Sequence, residues 1–106
     1  MVYTIDELKI LIEPVAKKYS LPAVYVFGSY ARGEATADSD VDILVDKTGT
    51  DLRGLLAMGG LYNDLVDAVD KQIDLITTTA LEEDSTKLRT PWFIENLERE
   101  KVRIYG

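Results

Sequence analysis

Three aspartates and one glycine–serine step carry the chemistry that this sequence allows. Asp40 and Asp42 flank Val41 in the run DVDILVD, residues 40–46. The alternation suits a strand, on which residues two apart project to one face, about 6–7 Å apart, while Val41 turns toward a core. Two like charges on one face of a mainly apolar strand repel each other. A pair of divalent cations about 3.5–4 Å apart would give them a purpose, whereas a solvated sheet face would merely tolerate them. Asp74 is the only charge in residues 73–76 of a second apolar run, QIDLIT. It aligns beside Asp40 and Asp42 if the two strands pair.

Gly28-Ser29 follows the apolar run AVYVF, residues 23–27, at the point where a buried strand meets a helical turn. Amides at the start of such a turn lack partners and present a positive end to anions. Gly28 removes the side chain that would block a phosphate, and the Ser29 hydroxyl adds a donor. The same junction also serves as a plain structural turn. The carboxylates downstream shift the balance toward a phosphate cradle. Arg32 either contacts a phosphate or pairs with Glu34.

The absences narrow the chemistry further. The 106 residues include no Cys and no His, so a disulfide framework, a thiolate nucleophile, an imidazole base and a Cys-type zinc site are excluded. Catalysis must run on carboxylates, hydroxyls, amides, Lys or Arg, and oxygen-rich sites suit Mg²⁺ or Mn²⁺. A net charge of −7 with scattered basic residues argues against an extended nucleic-acid surface. It leaves room for a single nucleotide whose phosphates are neutralised by metal. No apolar run approaches a membrane span, and the first residues carry charge too early for a signal peptide, so a cytoplasmic protein is expected.

The elements around these residues read as a small domain spanning 1–106, with 46% hydrophobic and 29% charged residues. Thr4 and Glu7 form a capping box ahead of a helix over 5–19, whose apolar face is Ile5, Leu8, Leu11, Ile12, Val15 and Tyr19. Pro14 is expected to kink or divide it near Glu13. Strands are expected at 23–27, 40–46, 72–77 and 102–105. Ser29 is expected to cap a helical turn through Arg32 that Gly33 ends, and residues 34–39 to form a loop. A helix over 50–69 would place Leu52, Leu55, Leu56, Leu65, Val66 and Val69 in the core, weakened at Gly59-Gly60. Pro91 opens a last helix to about residue 98, in which Trp92 and Phe93 read as core anchors. Tyr30 is expected to cover the strand edge, Asp38 and Asp46 to be solvated, and the acidic run 82–84 to be exposed. The alternation predicts an α+β fold: a small mixed sheet with helices packed on one face.

Gly28-Ser29, ten intervening residues, then Asp40-Val41-Asp42 resembles the signature of the DNA polymerase β-like nucleotidyltransferase superfamily. The stretch YVFGSYARGEATADSDVDILVD is similar to its smallest bacterial and archaeal branch, the MNT-domain proteins. QIDLIT resembles that branch's third-aspartate strand, and FIENLEREKVRIYG its closing helix and strand. The resemblance implies a minimal nucleotidyltransferase that binds a nucleoside triphosphate, ATP favoured, with two Mg²⁺ ions that Mn²⁺ can replace. It assigns Asp40, Asp42 and Asp74 as metal ligands, with Asp74 as base, and Gly28 and Ser29 as triphosphate contacts.

It further implies an adenylyltransferase whose acceptor is a tyrosine of a HEPN-type toxin, this chain being the antitoxin. The alternative is a non-catalytic antitoxin that neutralises its partner by covering it. The intact aspartate set disfavours that alternative, because a pure binder gains nothing from clustered like charges. A small-molecule adenylyltransferase would need an acceptor-binding domain for which the chain has no room.

Overall fold

The computed structural model describes residues 2–78 and 99–106. The expected helix after Pro91, with Trp92 and Phe93, and the acidic run 82–84 lie outside the described residues. Elements follow in the order α1 (Ile5–Lys18), β1 (Ala23–Phe27), α2 (Gly28–Arg32), β2 (Val41–Asp46), α3 (Gly54–Val69), β3 (Ile73–Thr77) and β4 (Val102–Tyr105). The strands form one mixed sheet in the order β3-β2-β1-β4. β1 pairs antiparallel with β2 and with β4, and β2 pairs parallel with β3, the crossover being α3. This is the small α+β arrangement that the sequence predicts.

Alternation along each strand sorts side chains between two faces. Val24, Val26, Val41, Ile43, Val45, Ile73 and Ile104 are buried in one core with Leu8, Ile12, Val15 and Ala16 of α1 and Leu61, Leu65 and Val69 of α3. Phe27, Leu44 and Ile76 form a second cluster. They alternate with the first set, and so do Asp42 and Asp74. The carboxylates therefore occupy the sheet face that the α1–α3 core does not use.

Thr4 and Glu7 close the expected capping box, Glu7 N donating to Thr4 Oγ1 at 3.1 Å and Thr4 N to Glu7 Oε1 at 2.9 Å. Pro14 neither divides α1 nor ends it. Its ring lies on the exposed side of the helix, and Ile10, whose carbonyl it leaves without an amide, is 73% exposed. Water can satisfy that carbonyl, so the helix continues. α3 likewise runs unbroken through Gly59-Gly60. A Cβ on Gly60 would come to 3.3 Å from the Tyr19 hydroxyl, which donates to Asp64 at 2.6 Å. The small residue thus lets α1 and α3 approach.

Two expectations about α3 are corrected. The helix begins at Gly54, so Leu52 is buried in the preceding loop, and Leu55 and Leu56 are 92% and 94% exposed. The buried stripe is Leu61, Leu65 and Val69 at i, i+4, i+8. The first helical turn overhangs the end of the core, so apolar type alone does not bury it. Among the described residues no helix is long and apolar enough to cross a membrane.

Candidate active site

The Gly28–Ser29 junction is built where β1 ends. α2 starts at Gly28 directly after Phe27, so Phe27, extended at φ −133°, is the capping residue, without a side-chain cap. Ser29 therefore sits inside the helical turn and not ahead of it, which corrects its expected role as N-cap. The first amides of α2 have no side-chain cap. Gly33, at φ 74°, closes α2 in the left-handed conformation, as expected.

Gly28 is required twice over. Its φ of +70° is a conformation that side chains disfavour, and a Cβ there would overlap Oδ2 of Asp42. Asp42 reaches Gly28 because the antiparallel register pairs it with Phe27, the residue just before the glycine.

The loop from Glu34 to Asp40 is pinned at several points. Glu34 N donates to Ser29 O at 2.9 Å and Ser39 N to Thr36 O at 3.0 Å. Thr36 N donates to Ser39 Oγ at 2.9 Å, and Lys71 Nζ reaches the Ala37 carbonyl at 2.9 Å. Asp70, left-handed at φ 53°, ends α3 and turns the chain into β3. Val41 N then donates to Gln72 O at 3.0 Å, which starts the parallel ladder. That ladder sets Asp42 opposite Asp74, the alignment expected from the sequence. Asp40 lies one residue before β2 and is exposed, as is Asp74.

Electrostatics mark Asp42 as the focus of the set. Burial pushes its carboxyl up to about 6, and the charges of Asp74 and Asp40 push in the same direction. The Arg32 cation works weakly against them. The three aspartates thus feel one another through Asp42, and among the described residues the Arg32 cation offsets their joint charge only in part. A hard divalent cation suits this all-oxygen donor set. Among the described residues the three side chains do not already close around a point as preformed ligands. Asp42 and Asp74 are neighbours in register, and Asp40 flanks them from the loop.

Arg32 does not choose between the two expected partners as simply as expected. Its Nε donates to Glu34 Oε1 at 2.7 Å, and its Nη1 to Glu100 Oε2 at 3.1 Å. Glu34 was foreseeable from its position two residues on. Glu100 was not, since no local pattern announces a contact across 68 residues. Tyr30 is 4% exposed and packs in the α1–α3 core rather than over a strand edge as expected, since the strand it follows, β1, lies inside the sheet. Its buried hydroxyl has no hydrogen-bond partner among the described residues. Asp46 accepts from the Thr48 amide at 2.9 Å and so caps the turn after β2, far from the other aspartates. A cleft of about 410 Å³ among Lys18, Tyr19, Ser20, Thr50, Asp51 and Leu52 lies at the opposite end of β2 from Asp42. It is remote from the aspartates and takes no part in their chemistry.

A mixed sheet with a strand–Gly-Ser–helix junction, an Asp-x-Asp strand and a third aspartate on the neighbouring strand defines a nucleotidyltransferase core. Residues 8–104 match the model of the nucleotidyltransferase domain family, and the chain belongs to that family. Within it, the chain is similar to a candidate protein adenylyltransferase of Methanocaldococcus jannaschii, 34% identical over 95% of this chain and 98% of that one. It is 32% identical to the protein adenylyltransferase MntA of Thermococcus cleftensis, over 79% of this chain and 87% of that one. The fold is shared with the crystal structure of a tri-AMPylated Shewanella oneidensis HEPN toxin in complex with its MNT antitoxin, at a TM-score of 0.63 and 19% identity, over 97% of this chain and 73% of that one.

Proposed function

We propose that this nucleotidyltransferase moves AMP from Mg-ATP to a tyrosine hydroxyl of a HEPN-type toxin and acts as that toxin's antitoxin. The observation that carries the reading is the in-register pairing of Asp42 with Asp74, with the Asp42 carboxylate packed directly against Gly28. A site that holds phosphates at one wall and clusters uncompensated carboxylates at the other suits phosphoryl chemistry and little else. The adenylyltransferase names of its relatives and the AMP-bearing toxin of the fold neighbour support the nucleotide and the class of acceptor.

In this reading Gly28 and Ser29 hold the distal phosphates with backbone amides and the Ser29 hydroxyl, and Arg32 adds a cation. Asp40, Asp42 and Asp74 would hold Mg²⁺. Bound metal would draw charge off the triphosphate and the attacking oxygen. Asp74 takes the proton of the acceptor hydroxyl as its oxygen attacks the α-phosphorus. The bond from that phosphorus to the bridging oxygen breaks, and pyrophosphate leaves as AMP becomes ester-linked. The in-line geometry needs no imidazole, which fits a chain without His.

The test is incubation of the chain with a HEPN-type partner, ATP and Mg²⁺, followed by mass spectrometry of the partner. One or more AMP additions on tyrosine are expected, and EDTA or Asp42→Asn should abolish them. A partner that is bound and silenced yet unmodified would establish the non-catalytic antitoxin instead.

A further inference from the structure

Arg32 stands at the last turn of α2, one helical turn beyond the Gly28 cradle. Two carboxylates hold its guanidinium from different parts of the chain: Glu34 takes Nε at 2.7 Å and Glu100 takes Nη1 at 3.1 Å. Nη2 has no partner among the described residues. An arginine that is 44% exposed would otherwise sample many rotamers, and fixing it on a ligand would cost side-chain entropy. Holding two of its nitrogens fixes the plane of the fork before any ligand arrives, which is preorganisation of the kind that strengthens binding without new contacts.

The two carboxylates are not equivalent. Glu34 is local, two residues along the same turn, and 63% exposed. Glu100 is the more buried, at 32%, and lies just before β4. β4 pairs with β1, and β1 ends at the residue preceding Gly28. The Arg32–Glu100 pair therefore ties the far end of α2 back to the strand pair from which α2 emerges.

We infer that Glu100 is a positioning residue for the triphosphate: together with Glu34 it anchors the Arg32 guanidinium so that Nη2 is left for a phosphate oxygen. The inference rests on the proposed nucleotide site and assigns Glu100 no contact with substrate. It has a clear opposite. If the carboxylates compete with the phosphate for Arg32, or merely repel it, removing either one tightens nucleotide binding.

The experiment is titration calorimetry of the full chain with AMP-PNP and Mg²⁺, using wild type, Glu100→Ala, Glu100→Gln, Arg32→Ala and the Arg32→Ala/Glu100→Ala double variant. Arg32→Ala should weaken binding on the order of tenfold. Glu100→Ala should weaken it roughly threefold, the scale of one exposed ion pair. Glu100→Gln keeps an oxygen for Nη1 and should lose less than Glu100→Ala. In the Arg32→Ala background Glu100→Ala should change nothing, a coupling that a merely structural role would not produce. Melting of each ligand-free variant confirms that it folds. Unchanged or tighter binding by Glu100→Ala, with Arg32→Ala still weakened, overturns the positioning role alone. No loss in Arg32→Ala, or no binding by wild type, overturns the phosphate role of Arg32 as well.

Discussion

The Asp42 carboxylate lies where a side chain on Gly28 would have to begin, so the Gly28 turn and the aspartate strand share one volume. Gly28→Ala should therefore fail for two reasons. The left-handed backbone costs roughly 1–2 kcal/mol with a Cβ present, and the new methyl displaces Asp42. The variant should melt lower than wild type and lose Mg-nucleotide binding by calorimetry. Wild-type affinity in a folded Gly28→Ala protein would refute this geometry.

Removing one negative charge should stabilise the metal-free protein. Asp42 is held up by burial and by Asp74 and Asp40, so Asp42→Asn should raise the metal-free stability by roughly 1–3 kcal/mol, less in high salt. Wild type with Mg-nucleotide at about a hundredfold over its dissociation constant should gain roughly 2.7 kcal/mol. The variant should lose most of that gain. Four thermal melts, with and without ligand, decide the matter. An unchanged metal-free melt together with an intact ligand shift would show that the carboxylates are no shared metal site.

The same residue sets a pH dependence. With a folded pKa of about 6 against an ordinary aspartate value of 3.8, the folded state binds more protons than the unfolded state between those two values. Asp42 thus makes the metal-free protein less stable as pH rises from about 4 to about 6 and contributes no further change above that. The difference in stability between Asp42→Asn and wild type should grow across this window and then level off. Urea melts in EDTA at a series of pH values measure it, with other carboxylates cancelling in the difference. Mg²⁺ should also bind wild type more weakly below pH about 6, because it must displace a proton. A flat difference would mean that Asp42 does not titrate there.

Tyr30 offers a cleaner stability test. Its hydroxyl is buried without a partner among the described residues, an arrangement that costs about 1–3 kcal/mol. Tyr30→Phe should leave nucleotide binding unchanged and raise the melting temperature. A lower melt would reveal a bonded hydroxyl, and weaker nucleotide binding would restore a role at the site.

Much of this molecule was legible in its sequence where local chemistry decides structure. The Thr4–Glu7 box, the β-branched run 23–27, the Gly33 stop and the Asp-x-Asp alternation each carry their own instruction. The register of Asp42 with Asp74 was legible as a condition, because the strands had to pair. Pro14 and Gly59-Gly60 misled, since their effect depends on which side of the helix meets water or a neighbour. Leu55 and Leu56 misled for a related reason: helical periodicity marks a face but not where the core ends.

That last point is measurable. Leu55→Ser and Leu56→Ser should each shift stability by no more than about 0.5 kcal/mol. Leu61→Ala, about a turn and a half further on and fully buried, should cost about 2–5 kcal/mol. Comparable denaturant midpoints for the three would contradict the observed burial.

Asp42 and Asp74 come together only through the parallel pairing of β2 with β3, and that pairing also fills the core. Sliding β3 by one residue would turn Asp74 toward α3 and bring Ile73 out to water. Sliding it by two would keep the face but carry Asp74 about 7 Å along the strand. On the proposed mechanism neither mispaired form would be competent. Catalysis would then act as an audit of strand pairing, and in a refolding mixture the fraction of active molecules would count those whose sheet closed in its native alignment.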